Sequence, residues 1–254
     1  MSGTKIDRDS LFVRNLPVDF TLGADAAQQR LFREYGAVFV ARGGVTPPNK
    51  VVFEDEADVA GFQSQLNIVR REIGEFSVEL QAAAMDGLSN AIDAAQIAGH
   101  SITPRGSDSA RRNYTDTIEL WKSRVEPALL HWVGLGRMTQ MQADDLRALS
   151  PYEQVPEVFA LEEQGIYFAK DLSKSIIYSV APPGASQHLA LLAFDVAEFD
   201  DRHVREILAN HCWYQTVISD LPHFTFLGVE ENKLPQMGLK RVAHSGREFW
   251  IPEI

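Results

Sequence analysis

The chain has 254 residues, 45% of them hydrophobic, and 35 acidic residues against 24 basic ones give a formal net charge of −11. This is enough apolar chain for a sizeable core in one large or two small domains, and the acidic balance excludes a general electrostatic grip on nucleic acid or on an anionic membrane. A single cysteine, Cys212, excludes an intrachain disulfide and a four-cysteine zinc knot, so a metal site must draw on His, Asp and Glu.

The amino-terminal "MSGTKIDRDSLFVRN" lacks the basic start and apolar core of a secretory leader, and no stretch approaches the roughly 20 apolar residues of a membrane span. Residues 1–23 are polar and mixed and read as a tail. "ADAAQQRLFREYG" (24–36) reads as a short helix ending at Gly36. "VFVARGGVTPPNKVVF" reads as two short strands around a Gly/Pro turn, and "EDEADVAGFQSQLNIVRREIG" as an amphipathic helix with acids in its first turn and Gly74 at its end. Residues 24–75 are therefore expected to form an accessory helix/strand region, and 76–254 the main domain. That domain opens with a core helix in "SVELQAAAMDGLSNAIDAAQIAG". "HSITPRG" follows as strand or loop, then a long helix in "SDSARRNYTDTIELWKSRVEPALLHWVG" with a possible kink at Pro127, then helices over 139–149 and 151–164.

From about residue 166 the character changes. "IYFAKDLSKSIIYSVAPPG", "HLALLAFDV", "WYQTVIS", "HFTFLGV", "LKRV" and "REFWIP" all read as strands, interrupted only by a helix in "DDRHVREILANH". Helices first and strands later predict an α+β fold, with helices packed on a mainly antiparallel sheet.

Within this half, "SQHLALLAFD" (186–195) places His188 and Asp195 at the ends of a strongly apolar run. Both are costly to bury unless paired or bound. Their odd separation would put them on opposite faces of a flat strand, so a shared site needs a bend or bulge between them. Downstream, "SDLPHFTF" (219–226) sets His223 just before an apolar strand, with Asp220 three residues ahead and Pro222 stiffening the approach. Two histidines and a carboxylate suffice as protein ligands for a catalytic zinc, with the fourth position left to water. A second carboxylate, not bound to metal, can then take the proton from that water.

These residues carry a resemblance. "SQHLALLAFD" resembles the S-x-H-x-x-G-x-A-x-D motif of the D-alanyl-D-alanine carboxypeptidase family of zinc metallopeptidases: Ser186, His188, Ala193 and Asp195 match, and Leu191 stands where the motif has glycine. "DLPHF" is similar to the family's catalytic-base and third-ligand element. Its aspartate, where the vancomycin-resistance D,D-peptidases and most relatives carry glutamate, looks more like the phage L-alanyl-D-glutamate endolysins. The resemblance covers about residues 77–245 and implies a hedgehog/D,D-peptidase-like fold with one Zn²⁺ on His188, Asp195 and His223. It implies Asp220 as general base and then proton donor to the leaving amine. It further implies an arginine on an upstream strand-to-helix loop that polarises the scissile carbonyl. "ITPRGSDSARR" is in the right order for that, with Arg105 the first choice and Arg111 the second; Ser186 and Arg111 are the expected substrate contacts. The expected substrate is a peptide or muropeptide, and a periplasmic or extracellular setting follows from the resemblance alone.

Plainer readings stand beside this one. His188 and Asp195 can form a metal-free buried pair, Asp220 can be a turn residue before Pro222, and Arg105 a surface charge or ion-pair partner. An endopeptidase cutting inside the stem peptide, or a zinc-stabilised domain without turnover, fits the same residues. "GASQH" only superficially resembles a G-x-S-x-G elbow, since a strand-like run follows the serine where that motif needs a helix. "SGTK" at 2–5 fits S-x-x-K but lacks its partner motifs, and "GLG" at 134–136 is too short to bind phosphate.

Overall fold

In the computed structural model the structure describes residues 6–254; the "SGTK" element lies outside the described residues. The chain builds α1 (Leu11–Arg14), α2 (Ala26–Tyr35), a 3₁₀ turn (Gly36–Val40), α3 (Glu56–Gln63), the strands β1 (Ile68–Ile73) and β2 (Phe76–Gln81), then α4 (Ala82–Ile97) and α5 (Tyr114–Gly134). There follow α6 (Gln140–Ala148), α7 (Pro151–Glu163), 3₁₀ turns at Ile176–Tyr178 and Gln187–Ala190, β3 (Ala193–Asp195), α8 (Arg202–Asn210), β4 (Trp213–Tyr214) and β5 (His223–Phe226). A 3₁₀ segment, Glu231–Met237, leads to the closing hairpin of β6 (Leu239–His244) and β7 (Arg247–Pro252). The class is α+β. Among the described residues the strands form three small antiparallel sheets, β1–β2, β3–β5–β4 and β6–β7, in place of the single main sheet that the sequence predicts. Among the described residues no helix is long and apolar enough to cross a membrane.

Several elements differ from expectation for local reasons. The helix read through residue 73 stops at Gln63, and the Ile- and Val-bearing stretch after it pairs with 76–81 as a hairpin. Its two-residue loop starts at Gly74, whose φ of +61° suits the turn between Ile73 and Phe76. "VFVARGGVTPPNKVVF" contributes a 3₁₀ turn and irregular chain, with only an isolated bridge from Lys50 to Thr21. The run 166–181 is irregular apart from its 3₁₀ turn. The long helix passes through Pro127 without ending. It opens on a capping box between Asn113 and Asp116, immediately after Arg111 and Arg112.

The expected boundary at 75/76 falls inside the β1–β2 hairpin. One apolar core runs from Ile6 and Phe12 through Phe32 and Phe39 to Trp213, Phe226 and Trp250. Phe12 packs edge-on against Phe32, and Phe32 stacks on Phe39, so the amino-terminal segment is bound into that core. The region read as accessory also supports the later site-bearing loop. The Phe53 N–H donates to the Gly184 carbonyl at 3.0 Å, and a Cβ on Gly184 (φ +75°) would lie 1.9 Å from the Phe53 oxygen. Only glycine fits there, two residues before Ser186.

Candidate metal centre

Three elements bring the expected ligands together. In the β3–β5 ladder Asp195 stands directly opposite His223, so the two side chains share one face. His188 arrives differently. Gln187–Ala190 is a 3₁₀ turn, and Leu191 follows in the left-handed conformation (φ +54°, ψ +34°) before the chain extends into β3. This turn removes the parity problem of a flat strand and swings His188 onto the face of Asp195. It falls at the position where the resembled motif has glycine, the residue that adopts such a conformation without strain. A third segment, 105–112, wraps over the ligands: the Arg105 N–H donates to the Asp195 carbonyl (3.0 Å) and the Asp195 N–H to the Ser109 carbonyl (2.8 Å).

Both histidine nitrogens lie from the Asp195 oxygen at a spacing that suits a tetrahedral ion, and the three ligand atoms all lie within 4.8 Å of one another. His188 Nε2 is 3.3 Å and His223 Nδ1 is 3.2 Å from Asp195 Oδ1. Two ligand atoms about 2.0–2.1 Å from a tetrahedral zinc stand about 3.3 Å apart. The outer hydrogen bonds fix both imidazole tautomers. His188 Nδ1 lies 2.7 Å from the Ala110 carbonyl, which can only accept, so Nδ1 carries the proton and Nε2 presents its lone pair. His223 Nε2 lies 2.9 Å from Gln187 Oε1, and the Gln187 amide is oriented by its own donation from Nε2 to the Tyr35 carbonyl (2.8 Å). His223 Nε2 therefore donates, and Nδ1 turns its lone pair to Asp195.

Three acceptors thus face one another. His188, 1% exposed, leaves Nε2 without a hydrogen bond although Asp195 Oδ1 is near. Such an arrangement is stable around a cation, and the group of His188, Asp195 and His223 can hold a metal ion. Burial and the nearby Arg112 charge push His188 below its ordinary value, favouring the neutral, ligating form. Burial alone would raise Asp195, but without a metal a ring that takes up a proton turns a donor and a positive charge on it, and this holds the carboxyl well below the usual range.

The ligands open onto a cavity of about 890 Å³ lined also by Arg105, Arg112, Ser186 and Asp220. Asp220 and His223 are the ends of a turn closed by donation from the His223 N–H to the Asp220 carbonyl (3.2 Å). The Asp220 side chain is open to water at the cavity wall yet ringed by protein; desolvation and the Asp195 charge raise its pKa. Arg105 lines the cavity and has no ion-pair partner among the described residues. Arg111 turns away, donating to Glu79 (2.5 Å) and Gln63 (2.8 Å) at the wall of a separate, smaller cavity.

Sequence reasoning passed over two residues. Arg112 Nη2 holds Asp195 Oδ2 at 3.0 Å, leaving Oδ1 to the histidines, and its side chain lines the ligand cavity. Gln187 orients His223. No signal separates Arg112 from Arg111 in "SARRN", because adjacent residues point apart once the loop meets its capped helix. Comparison with protein families, curated proteins and solved structures finds no match for this chain.

Proposed function

We propose that this chain is a zinc-dependent peptidase acting on peptidoglycan stem peptides or related peptides with D-residues, of the D-Ala-D-Ala carboxypeptidase type. One observation carries the reading: the imidazoles of His188 and His223 converge on Asp195 Oδ1, at 3.3 and 3.2 Å, on the wall of a cavity that Asp220, Arg105 and Arg112 also line. The ligand types favour zinc over the hard cations calcium and magnesium.

When bound, a zinc ion supplies Lewis acidity and an acidified water to this site. Among the described residues Asp220 has no ion-pair partner, and its place on the cavity wall beside the ligands suits it to accept a proton from the attacking water and return it to the leaving amine. Arg105, lining the cavity with no ion-pair partner among the described residues, polarises the scissile carbonyl and holds the charge that develops on its oxygen. Arg112 keeps Asp195 oriented, and Ser186 stands at the cavity wall to receive a substrate polar group.

The test is metal content by native mass spectrometry, followed by digestion of purified muropeptides. One zinc in the parent's buried site, lost or weakened in His188→Ala, with release of a terminal D-alanine, is the expected outcome. A cut after L-alanine would instead place the activity with the endopeptidases. Absence of zinc at His188 after reconstitution would end the metallopeptidase reading, and zinc without product would leave a zinc-stabilised binding domain.

A further inference from the structure

The segments 100–105 and 195–201 run side by side away from the buried ligands. Pro104 bridges Val196, the Ala197 N–H donates to the Thr103 carbonyl (3.0 Å), and Thr103 donates from its N–H (2.8 Å) and hydroxyl (2.6 Å) to the Glu198 carboxylate. One end of this pair carries Asp195 and Arg105. The other end carries His100, just past α4, and Asp201, which caps α8 with His203 in its first turn. His100 Nδ1 is 2.9 Å from Asp201 Oδ2 and His203 Nδ1 is 3.4 Å from Asp201 Oδ1; the two rings stack at 5.0 Å and 21°.

We propose that His100, Asp201 and His203 form a second, solvent-facing site for a divalent transition-metal ion, which clamps the end of α4 to the start of α8. The candidate ligand atoms, one from each residue, all lie within 4.8 Å of one another, and each ring faces one oxygen of the Asp201 carboxylate, His100 at Oδ2 and His203 at Oδ1. Two imidazoles with one carboxylate select zinc, nickel or copper over calcium and magnesium. The His203 side chain is 68% exposed, so an ion reaches it without any opening of the fold.

This site is the weaker of the two by construction. Among the described residues no protein group holds the remaining nitrogen of either ring, whereas both buried imidazoles are held. The Asp201 carboxylate also accepts the His203 N–H at 2.8 Å as the cap of α8, and a helix amino terminus disfavours added positive charge. The second ion therefore loads after the first. Once loaded, it ties together the outer ends of the two segments whose inner ends position Asp195 and Arg105. The inference stands on its own geometry and does not depend on the peptidase reading.

The experiment is a titration of the chelator-stripped full chain with Zn²⁺, and separately with Ni²⁺, followed by native mass spectrometry and thermal unfolding. The parent is expected to take two ions in steps, with a further rise in Tm at the second. His203→Ala and His100→Ala are expected to keep the first ion and weaken the second at least about tenfold, with unchanged circular dichroism before metal is added. His188→Ala is expected to keep the weaker ion, so a failure at one site is distinguishable from a failure at the other. A second ion bound equally by the parent and both surface variants would overturn the proposal, as would a parent with no weaker ion at all.

Discussion

Two His–Asp–His clusters in this molecule share their ligand types and nearly their spacing, and differ in almost everything around them. At His188, Asp195 and His223 the outer ring nitrogens are held by the Ala110 carbonyl and Gln187, the carboxylate by Arg112, and both imidazoles are buried at the base of the cavity. At His100, Asp201 and His203 the groups are half-buried to exposed, and among the described residues nothing holds the outer nitrogens. Ligand identity alone therefore does not rank metal sites. What separates these two is how much orientation and desolvation the fold has completed before any ion arrives.

The largest expected effect lies beside the buried cluster. Asp220→Asn removes the proton acceptor but no ligand, so zinc content should stay near the parent's while turnover of a muropeptide falls about 10²–10⁴-fold. Parental turnover in that variant would separate the cavity's carboxylate from the chemistry and make the two clusters functionally alike. The next effect tests the outer shell. Gln187→Leu leaves all three ligands in place but frees His223 Nε2 and the Tyr35 carbonyl, and should weaken the buried ion about 10–100-fold in competition with a chromophoric chelator. An unchanged affinity would mean that outer hydrogen bonds are not what distinguishes the buried cluster from the exposed one.

The clusters should also differ in how the metal-free protein responds to pH. Burial and Arg112 hold His188 below its ordinary 6.5 in the folded chain. As pH falls below about 6.5 the unfolded chain takes up a proton that the folded chain refuses. The stability His188 contributes is thus complete above 6.5 and is lost as pH drops towards the depressed folded value. Denaturant midpoints of the chelated parent should fall more steeply from pH 7.5 to 5.5 than those of His188→Gln. Parallel slopes would mean that folding leaves the His188 pKa unshifted, and a shallower parental slope would mean that the buried imidazole is protonated against Asp195.

The same contrast explains what was legible in the sequence. His188, Asp195 and His223 were readable as a group able to hold a metal ion, because ligand chemistry depends on residue type and order, which the sequence displays directly. The turn that unites them was not, because Leu189 to Phe194 are all fully buried, and a run apolar on every side carries no period to separate a strand from a 3₁₀ turn. Leu191 hid the turn further, since a leucine gives no sign of a positive φ where glycine would have announced it. The hairpin at 68–81 was readable in principle: Gly74 stood between two Ile/Val-bearing runs, but the helical periodicity of 54–63 was carried too far into them. Arg112 and Gln187 act through contacts made by distant segments, and single-chain spacing does not encode those.

The smallest expected effect belongs to the exposed cluster without metal, and it is the one that keeps the comparison strict. His203→Ala removes a ring that is two-thirds in water, while its N–H still donates to Asp201 and so preserves the cap of α8. The metal-free stability should move by no more than about 0.5 kcal/mol, the range of an ordinary surface substitution. Asp201→Ala deletes the cap and His100's partner together and should lose about 1 kcal/mol. If His203→Ala lost as much as Asp201→Ala in chelator, the stacked rings themselves would be holding α4 to α8. The geometry of His100 and His203 would then be explained by packing, with no ion needed to account for it. If the two variants separate as expected, the stacked pair contributes little alone, and any added Tm that depends on both His203 and zinc comes from the ion.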